Sequence, residues 1–183
     1  MIKLIVFDVY GTLLYPSPVV STKRLGVKEF LEMNPNVPVT YFTDAEEQDV
    51  KISINEALLE MGILKRFRRP FYYFWDMDFD GGYKDLDKVA SEFGVNPYDI
   101  VLIGDSKKEF DSARRYKSKV IIVPSIALES QERLGMDNIG NVDNFLGSEK
   151  AGYLYMVKGR VESVIGDYLK VYAHAMINRV VYF

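Results

Sequence analysis

The chain has 183 residues and a formal net charge of -3, so one domain is the default and nothing pulls it broadly towards nucleic acid or anionic membranes. It contains no cysteine, which excludes disulfides and thiolate metal sites and fits a cytoplasmic protein. Hydrophobic residues make up 48 % of the sequence, enough at this length to bury a sizeable core. The opening run Ile2 to Phe7 is apolar but too short to span a membrane. It lacks a small-residue cleavage site and reads as a buried strand rather than a signal peptide.

Taken in chain order, Lys3 to Asp8 is predicted as a strand, its unbroken Leu4-Ile5-Val6-Phe7 run suiting a parallel strand covered on both faces. Gly11 and Thr12 turn the chain, and Pro16 and Pro18 mark a loop. Thr22 to Met33 is predicted helical, weakened by Gly26, and Val37 to Phe42 is a second strand. Asp44 is a candidate N-cap, with Glu47 three residues on to close a capping box. Val50, Ile54, Ala57 and Met61 then repeat at helical spacing, and Gly62 ends that helix. Phe71 to Trp75 is predicted as a third strand, followed by an acidic, glycine-rich loop from Asp76 to Gly82. Leu86, Val89, Ala90 and Phe93 form another apolar helical face stopped by Gly94. Ile100 to Ile103 is a strand leading into Gly104-Asp105-Ser106, a helix is expected around Phe110 and Ala113, and Val120 to Val123 is the next strand.

Strands alternating with helices imply an α/β fold, a three-layer Rossmann-like parallel sheet with helices on both faces. Lys3–Asp8 and Ile100–Ile103 should be central, with Val37–Phe42 and Val120–Val123 flanking them. Ligands of such sheets sit beyond the carboxyl ends of the strands. Asp8, Thr43 and Asp105 all fall at predicted strand ends, which brings three polar positions to one rim.

The run Phe7-Asp8-Val9-Tyr10-Gly11-Thr12-Leu13 resembles the first motif of the haloacid dehalogenase superfamily. Three further matches follow in that family's order: Thr43 after the second strand, Lys84, and Gly104-Asp105-Ser106. The resemblance covers roughly residues 1–147 and implies a hydrolase in which Asp8 is the nucleophile and forms a covalent aspartyl intermediate. It implies that Thr43, with the backbone around Asp44, binds the phosphoryl group, and that Lys84 neutralises charge on the nucleophile and the transferred group. It implies a Mg2+ ion held by Asp8, Asp105 and the backbone carbonyl of Tyr10. Glu109 has two readings. It matches the second acid that the family carries after its fourth motif, a candidate metal ligand, and it also completes a Ser106–Glu109 capping box. Asp111 is a further candidate for that second acid.

The sequence departs from the family's phosphatases at Tyr10, where they carry an aspartate as acid and base. A tyrosine, with a reference pKa near ~10, is a poor base at neutral pH. The family's 2-haloacid dehalogenases do carry tyrosine there, but they need no metal, and their fourth motif lacks the Gly-Asp-Ser form. The first insertion point used for caps spans only about a dozen residues, and the second, residues 45–83, is filled by one helix, one strand and a loop of the core, so no large cap is expected and the site should lie open to water.

The family core does not account for residues 148–183. Val161, Val164, Ile165, Tyr168, Leu169 and Tyr172 make an apolar stripe at helical spacing, expected to pack on the core or to form a homo-oligomer contact. Lys65, Arg66, Arg68 and Arg69 around Phe67 could touch nucleic acid, but the chain's negative charge argues for a solvated turn. His174 is the sole histidine, which excludes a multi-histidine metal site. The leading expectation is a Mg2+-dependent phosphatase acting on a small-molecule or macromolecular phosphoester. The alternatives are 2-haloacid dehalogenase-like chemistry and a catalytically weak domain that binds a phosphorylated ligand or partner.

Overall fold

The computed structural model describes residues 2–15, 22–24, 26–79 and 82–123. The expectations for the C-terminal stripe, His174 and the boundary near residue 147 lie outside these residues. Among the described residues, no helix is long and apolar enough to cross a membrane.

Four parallel strands form the central sheet in the order β4-β1-β5-β6. They are β1 (Leu4–Phe7), β4 (Val39–Tyr41), β5 (Ile100–Gly104) and β6 (Lys119–Ile122). A short antiparallel hairpin joins β2 (Leu14–Tyr15) to β3 (Thr22–Lys23). The helices are α1 (Val27–Met33), α2 (Glu47–Glu60), α3 (Leu86–Phe93) and α4 (Lys107–Arg115). The strand order is the one the apolar pattern predicts, with β1 and β5 in the middle.

Both middle strands are buried along their whole length, because successive side chains point to opposite, covered faces. Ile5, Phe7, Val101 and Ile103 meet Phe30 and Leu31 of α1, Val50 and Ile54 of α2 and Phe110 of α4 on one face. Leu4, Val6, Ile100 and Leu102 meet Leu86, Val89 and Ala90 of α3 on the other. Two apolar faces thus require two helical layers, and the sheet is the middle of three. Gly94 closes α3 in the left-handed region with φ 64°, as its place after Phe93 predicts.

Three local expectations are corrected. The helix expected from Thr22 begins only at Val27, because Gly26 takes a left-handed φ of 82° while Thr22–Lys23 pairs with Leu14–Tyr15. Phe71–Trp75 is not a strand. Tyr72 makes one bridge to Phe42, and Phe74–Asp76 then winds into a 3-10 turn. The Asp76 carboxylate takes the Tyr73 N–H at 2.8 Å and draws the chain off the sheet edge. Asp44 is not the cap of α2. Glu46 holds that position without a side-chain bond, while the Asp44 carboxylate pairs with Lys108 at 2.6 Å.

The register of α2 yields a paired test. Ile54 is fully buried and Ile52 is 70 % exposed. Ile54→Ala should lower unfolding stability by about 2–5 kcal/mol, and Ile52→Ala should stay within about 0.5 kcal/mol of the parent. Urea denaturation of both variants measures the contrast, and equal losses would refute the register.

Candidate active site

Asp8 is the first residue past β1. Its N–H donates to the Ile103 carbonyl at 2.7 Å, which ties it to the strand that delivers Asp105. On the other side, the Phe42 N–H donates to the Phe7 carbonyl at 2.8 Å. Parallel pairing thus sets the ends of β4, β1 and β5 side by side, with Thr43, Asp8 and Asp105 following them.

After Asp8 the chain winds into a tight turn. The Val9 carbonyl accepts from Leu13 at 2.8 Å and from Leu14 at 3.1 Å, and Gly11 supplies the left-handed φ of 79° the turn needs. This winding brings the buried Thr12 hydroxyl 3.2 Å from Asp8 Oδ2 and 3.2 Å from Asp105 Oδ1. A hydroxyl has one hydrogen to donate, so a single proton serves two carboxylates.

Lys84 approaches from the opposite side and is fully buried. Its Nζ pairs with Asp8 Oδ1 and, at 2.9 Å, with Glu109 Oε1. The ammonium lies 5.8 Å from the centroid of the Phe42 ring, within cation–π range. The Lys84 N–H donates to Ser112 Oγ at 3.0 Å, so α4 holds the lysine backbone in place.

Glu109 makes the capping box that the sequence offered as one of its two readings, and turns its other oxygen to Lys84. Its Oε2 accepts from the Ser106 N–H at 3.0 Å, the capping box of α4, while Oε1 faces Lys84. The side chain lies directly over Gly104, where an added Cβ would sit 2.0 Å from Glu109 Cγ.

The cluster therefore sets Asp8 and Glu109 on the Lys84 ammonium and Asp105 beside Asp8 through Thr12. Burial raises the Asp8 pKa above the ordinary carboxylate range; Lys84 opposes this, while Glu109 and Asp105 add to it. Burial works against the Lys84 charge, yet Asp8 and Glu109 more than offset it and its pKa is raised. Excess negative charge on hard oxygen donors suits a small divalent cation held by one or two carboxylates plus water. Among the described residues, no group of three or more carboxylates or imidazoles forms a metal cage, so such an ion would rest on Asp8, Asp105, main-chain oxygen and water.

Thr43 and Asp44 stand at the neighbouring strand end. Thr43 Oγ1 accepts from the Ala45 N–H at 3.3 Å, and its own N–H donates to the Tyr72 carbonyl at 3.0 Å. Asp44 and Lys108 link the loop after β4 to the first turn of α4. Burial alone would raise the Asp44 carboxyl, but Lys108 outweighs it and holds the pKa below the ordinary value. Tyr10 lies in the turn, partly buried against the core and bridged to Leu14. Asp111 pairs with Lys107 on the exposed side of α4. Sequence reasoning placed Thr12 only in a turn and overlooked Arg24, which is buried and donates to the Gly11 carbonyl at 3.1 Å. The spacing of Asp8 and Thr12 signals the first; nothing local signals the second.

Gly104 gives a test of this packing. Gly104→Ala should cost about 1–3 kcal/mol through overpacking against Glu109. Most of that cost should vanish in a Glu109→Ala background, where the clashing side chain is gone. A double-mutant cycle by chemical denaturation reads the coupling, and additive losses would show that Glu109 does not lie over Gly104.

No family model and no curated protein matches the sequence. Solved structures do resemble the fold. A haloacid dehalogenase superfamily hydrolase of subfamily IA from Geobacter sulfurreducens aligns with a TM-score of 0.52 at 13 % identity, covering 67 % of this chain and 89 % of that one. A predicted phosphoglycolate phosphatase from Haemophilus somnus gives 0.53 at 15 % identity, over 65 % and 84 %. The L-2-haloacid dehalogenase of Xanthobacter autotrophicus gives 0.56 at 12 % identity, over 79 % and 88 %. At these identities the likeness establishes the architecture, and the chain has the α/β fold of the haloacid dehalogenase superfamily hydrolases.

Proposed function

We propose that the chain is a hydrolase of the haloacid dehalogenase superfamily, a Mg2+-dependent phosphatase whose nucleophile is Asp8. One observation carries this reading. The buried Asp8 carboxylate is gripped by Lys84 on one oxygen and joined through the Thr12 hydroxyl to Asp105 on the other. A carboxylate held in this way at a strand end is a positioned nucleophile, and the crowding of like charges is what a dication relieves.

The donor set fits Mg2+. Asp8, Asp105 and the Tyr10 carbonyl would hold it, and when bound it would neutralise charge on the incoming phosphoryl group. Lys84 then screens Asp8 from that group, and Glu109 orients Lys84 rather than taking a place on the ion. An Asp8 oxygen attacks phosphorus as the bond to the leaving oxygen breaks, giving an aspartyl phosphate. The Thr43 hydroxyl steadies the transferred oxygens. Water then attacks phosphorus, the acyl phosphate bond breaks, and inorganic phosphate leaves with Asp8 restored. With Tyr10 where an acid would stand, the leaving oxygen draws its proton from solvent. The reading therefore favours substrates with good leaving groups. It places the catalytic unit within residues 1–147 of a cytoplasmic protein, with 148–183 as an extension.

Tyr10 also supports a second reading, 2-haloacid dehalogenase-like chemistry, in which the departing halide needs no proton. Asp105 and its shared hydroxyl weigh against it, since that chemistry has no use for a cation site. Turnover of an aryl phosphate and a 2-haloacid, each with Mg2+ and with chelator, decides between them. The expected result is Mg2+-dependent hydrolysis of the aryl phosphate alone.

Asp8→Asn should cut that turnover by about 10⁴-fold or more, as loss of a nucleophile does elsewhere, with the fold intact. A carboxyl whose pKa is raised on folding holds its proton more tightly in the folded state. Its contribution therefore favours folding at low pH and is lost as pH climbs from the ordinary carboxylate range towards the raised value. Without Mg2+, the melting temperature of Asp8→Asn relative to the parent should accordingly rise with pH. Melting curves in chelator across that range check the sign.

Tyr10→Asp should speed hydrolysis of poor leaving groups most, with a ceiling of about 10²- to 10⁴-fold. If the folded, Mg2+-binding variant gains nothing on a poor leaving group, the missing acid is not what limits turnover.

A further inference from the structure

We propose that Arg24 is a positioning residue that holds the turn after Asp8 in its ion-binding shape, an inference that rests on reading Asp8 and Asp105 as a Mg2+ site. Arg24 is 7 % exposed and lies just after the β2–β3 hairpin. Its backbone N–H donates to the Leu13 carbonyl at 2.9 Å. Its Nε donates to the Thr12 carbonyl and its Nη2 to the Gly11 carbonyl at 3.1 Å. One residue thus engages three consecutive carbonyls of the nucleophile turn.

The turn's own N–H groups engage its remaining ends. Val9 O accepts from Leu13 and Leu14, and Leu14 O accepts from Gly11. Among the described residues, the Tyr10 carbonyl is not one of these engaged carbonyls, and it is the one the ion-site reading assigns to Mg2+. Drawing the Gly11 and Thr12 carbonyls onto the guanidinium also fixes the rotation of the Thr12 peptide. That rotation is what brings the Thr12 hydroxyl between Asp8 and Asp105. A planar guanidinium meets two adjacent carbonyls with its fork, whereas an ammonium offers a point charge. Taking a guanidinium out of water is costly unless its hydrogen bonds are met, so its burial against this turn points to a demand for that geometry. Supporting groups one step removed from an ion commonly change its affinity by about 10- to 100-fold.

The experiment compares the full chain with Arg24→Ala and Arg24→Lys. Mg2+ affinity is read by titration calorimetry, and kcat and KM with an aryl phosphate. Arg24→Ala should stay folded, bind Mg2+ about 10- to 100-fold more weakly and lose about 10²-fold in kcat, with KM moving far less. Free guanidinium should restore part of both Mg2+ affinity and kcat in Arg24→Ala, and none in Arg24→Lys. A folded Arg24→Ala with parental Mg2+ affinity and kcat would overturn the proposal. So would failure of both variants to fold, or a variant that loses melting temperature alone, because the role would then be structural. A parent chain that neither binds Mg2+ nor hydrolyses the phosphoester would remove the ion-site reading and this proposal with it, a failure visible before any variant is made.

Discussion

A carboxylate buried among like charges is the constraint on which this structure depends. Asp8 is 6 % exposed, Lys84 is fully buried and Glu109 is 2 % exposed. Withdrawing each ion from water costs several kcal/mol, and pairing returns only part of it. Here the pairing is also short of positive charge, since Lys84 divides its ammonium between Asp8 and Glu109 while Asp105 adds a third negative group. Burial first, and then repulsion from Glu109 and Asp105, pushes up the Asp8 pKa, and a cation would relieve that repulsion. A site built in this way gives up stability when empty and gains affinity when filled.

Much of the fold serves to keep that arrangement rigid. Gly104 has no side chain, so Glu109 can lie across the end of β5. Glu109 in that place caps α4 with one oxygen and steadies Lys84 with the other. Ser112, one turn further along α4, holds the Lys84 backbone. The parallel register sets the β1 and β5 ends level, which is why Asp8 and Asp105 can share the Thr12 hydroxyl. None of these contacts is strong alone. Each removes a freedom that the charged groups would otherwise use to move apart.

The elements legible in the sequence are those whose cause is local. The all-apolar runs of β1 and β5 announce burial on both faces, and Leu86, Val89 and Ala90 followed by Gly94 announce a helix and its end. Asp8, Lys84 and Asp105 were legible because each stands where a predicted element begins or ends. The misread pieces turn on side-chain partners that the apolar pattern does not show, most of them distant in the chain. Phe71–Trp75 has strand-like aromatic content, but Asp76 captures the Tyr73 N–H and turns the chain. Asp44 has the spacing of a cap, yet its carboxylate goes to Lys108, 64 residues away. Arg24 was read as part of a helix, because only the fold brings its guanidinium to the turn after Asp8. Of the two readings of Glu109, the capping box is local and legible in Ser106 and Glu109, whereas its pairing with Lys84 joins residues far apart in the chain.

Tyr10 follows from the same electrostatic constraint. A carboxylate at that position would supply acid and base but would set a fourth negative group beside Asp8, Asp105 and Glu109. With one buried ammonium among them, each added carboxylate raises the pKa of its neighbours further. A partly buried tyrosine packed against the core avoids that repulsion and adds apolar contact instead. On the proposed phosphatase reading it forgoes the proton transfer that difficult leaving groups require, worth about 10²- to 10⁴-fold in rate. The trade is tolerable only where the leaving group departs readily or solvent reaches it. Between β4 and Lys84 the described chain carries α2 and short 3-10 turns, core elements rather than a lid. On that reading, a tyrosine in the turn agrees with a stretch from β4 to Lys84 that carries no lid among the described residues: water reaching the site would supply the proton that Tyr10 does not.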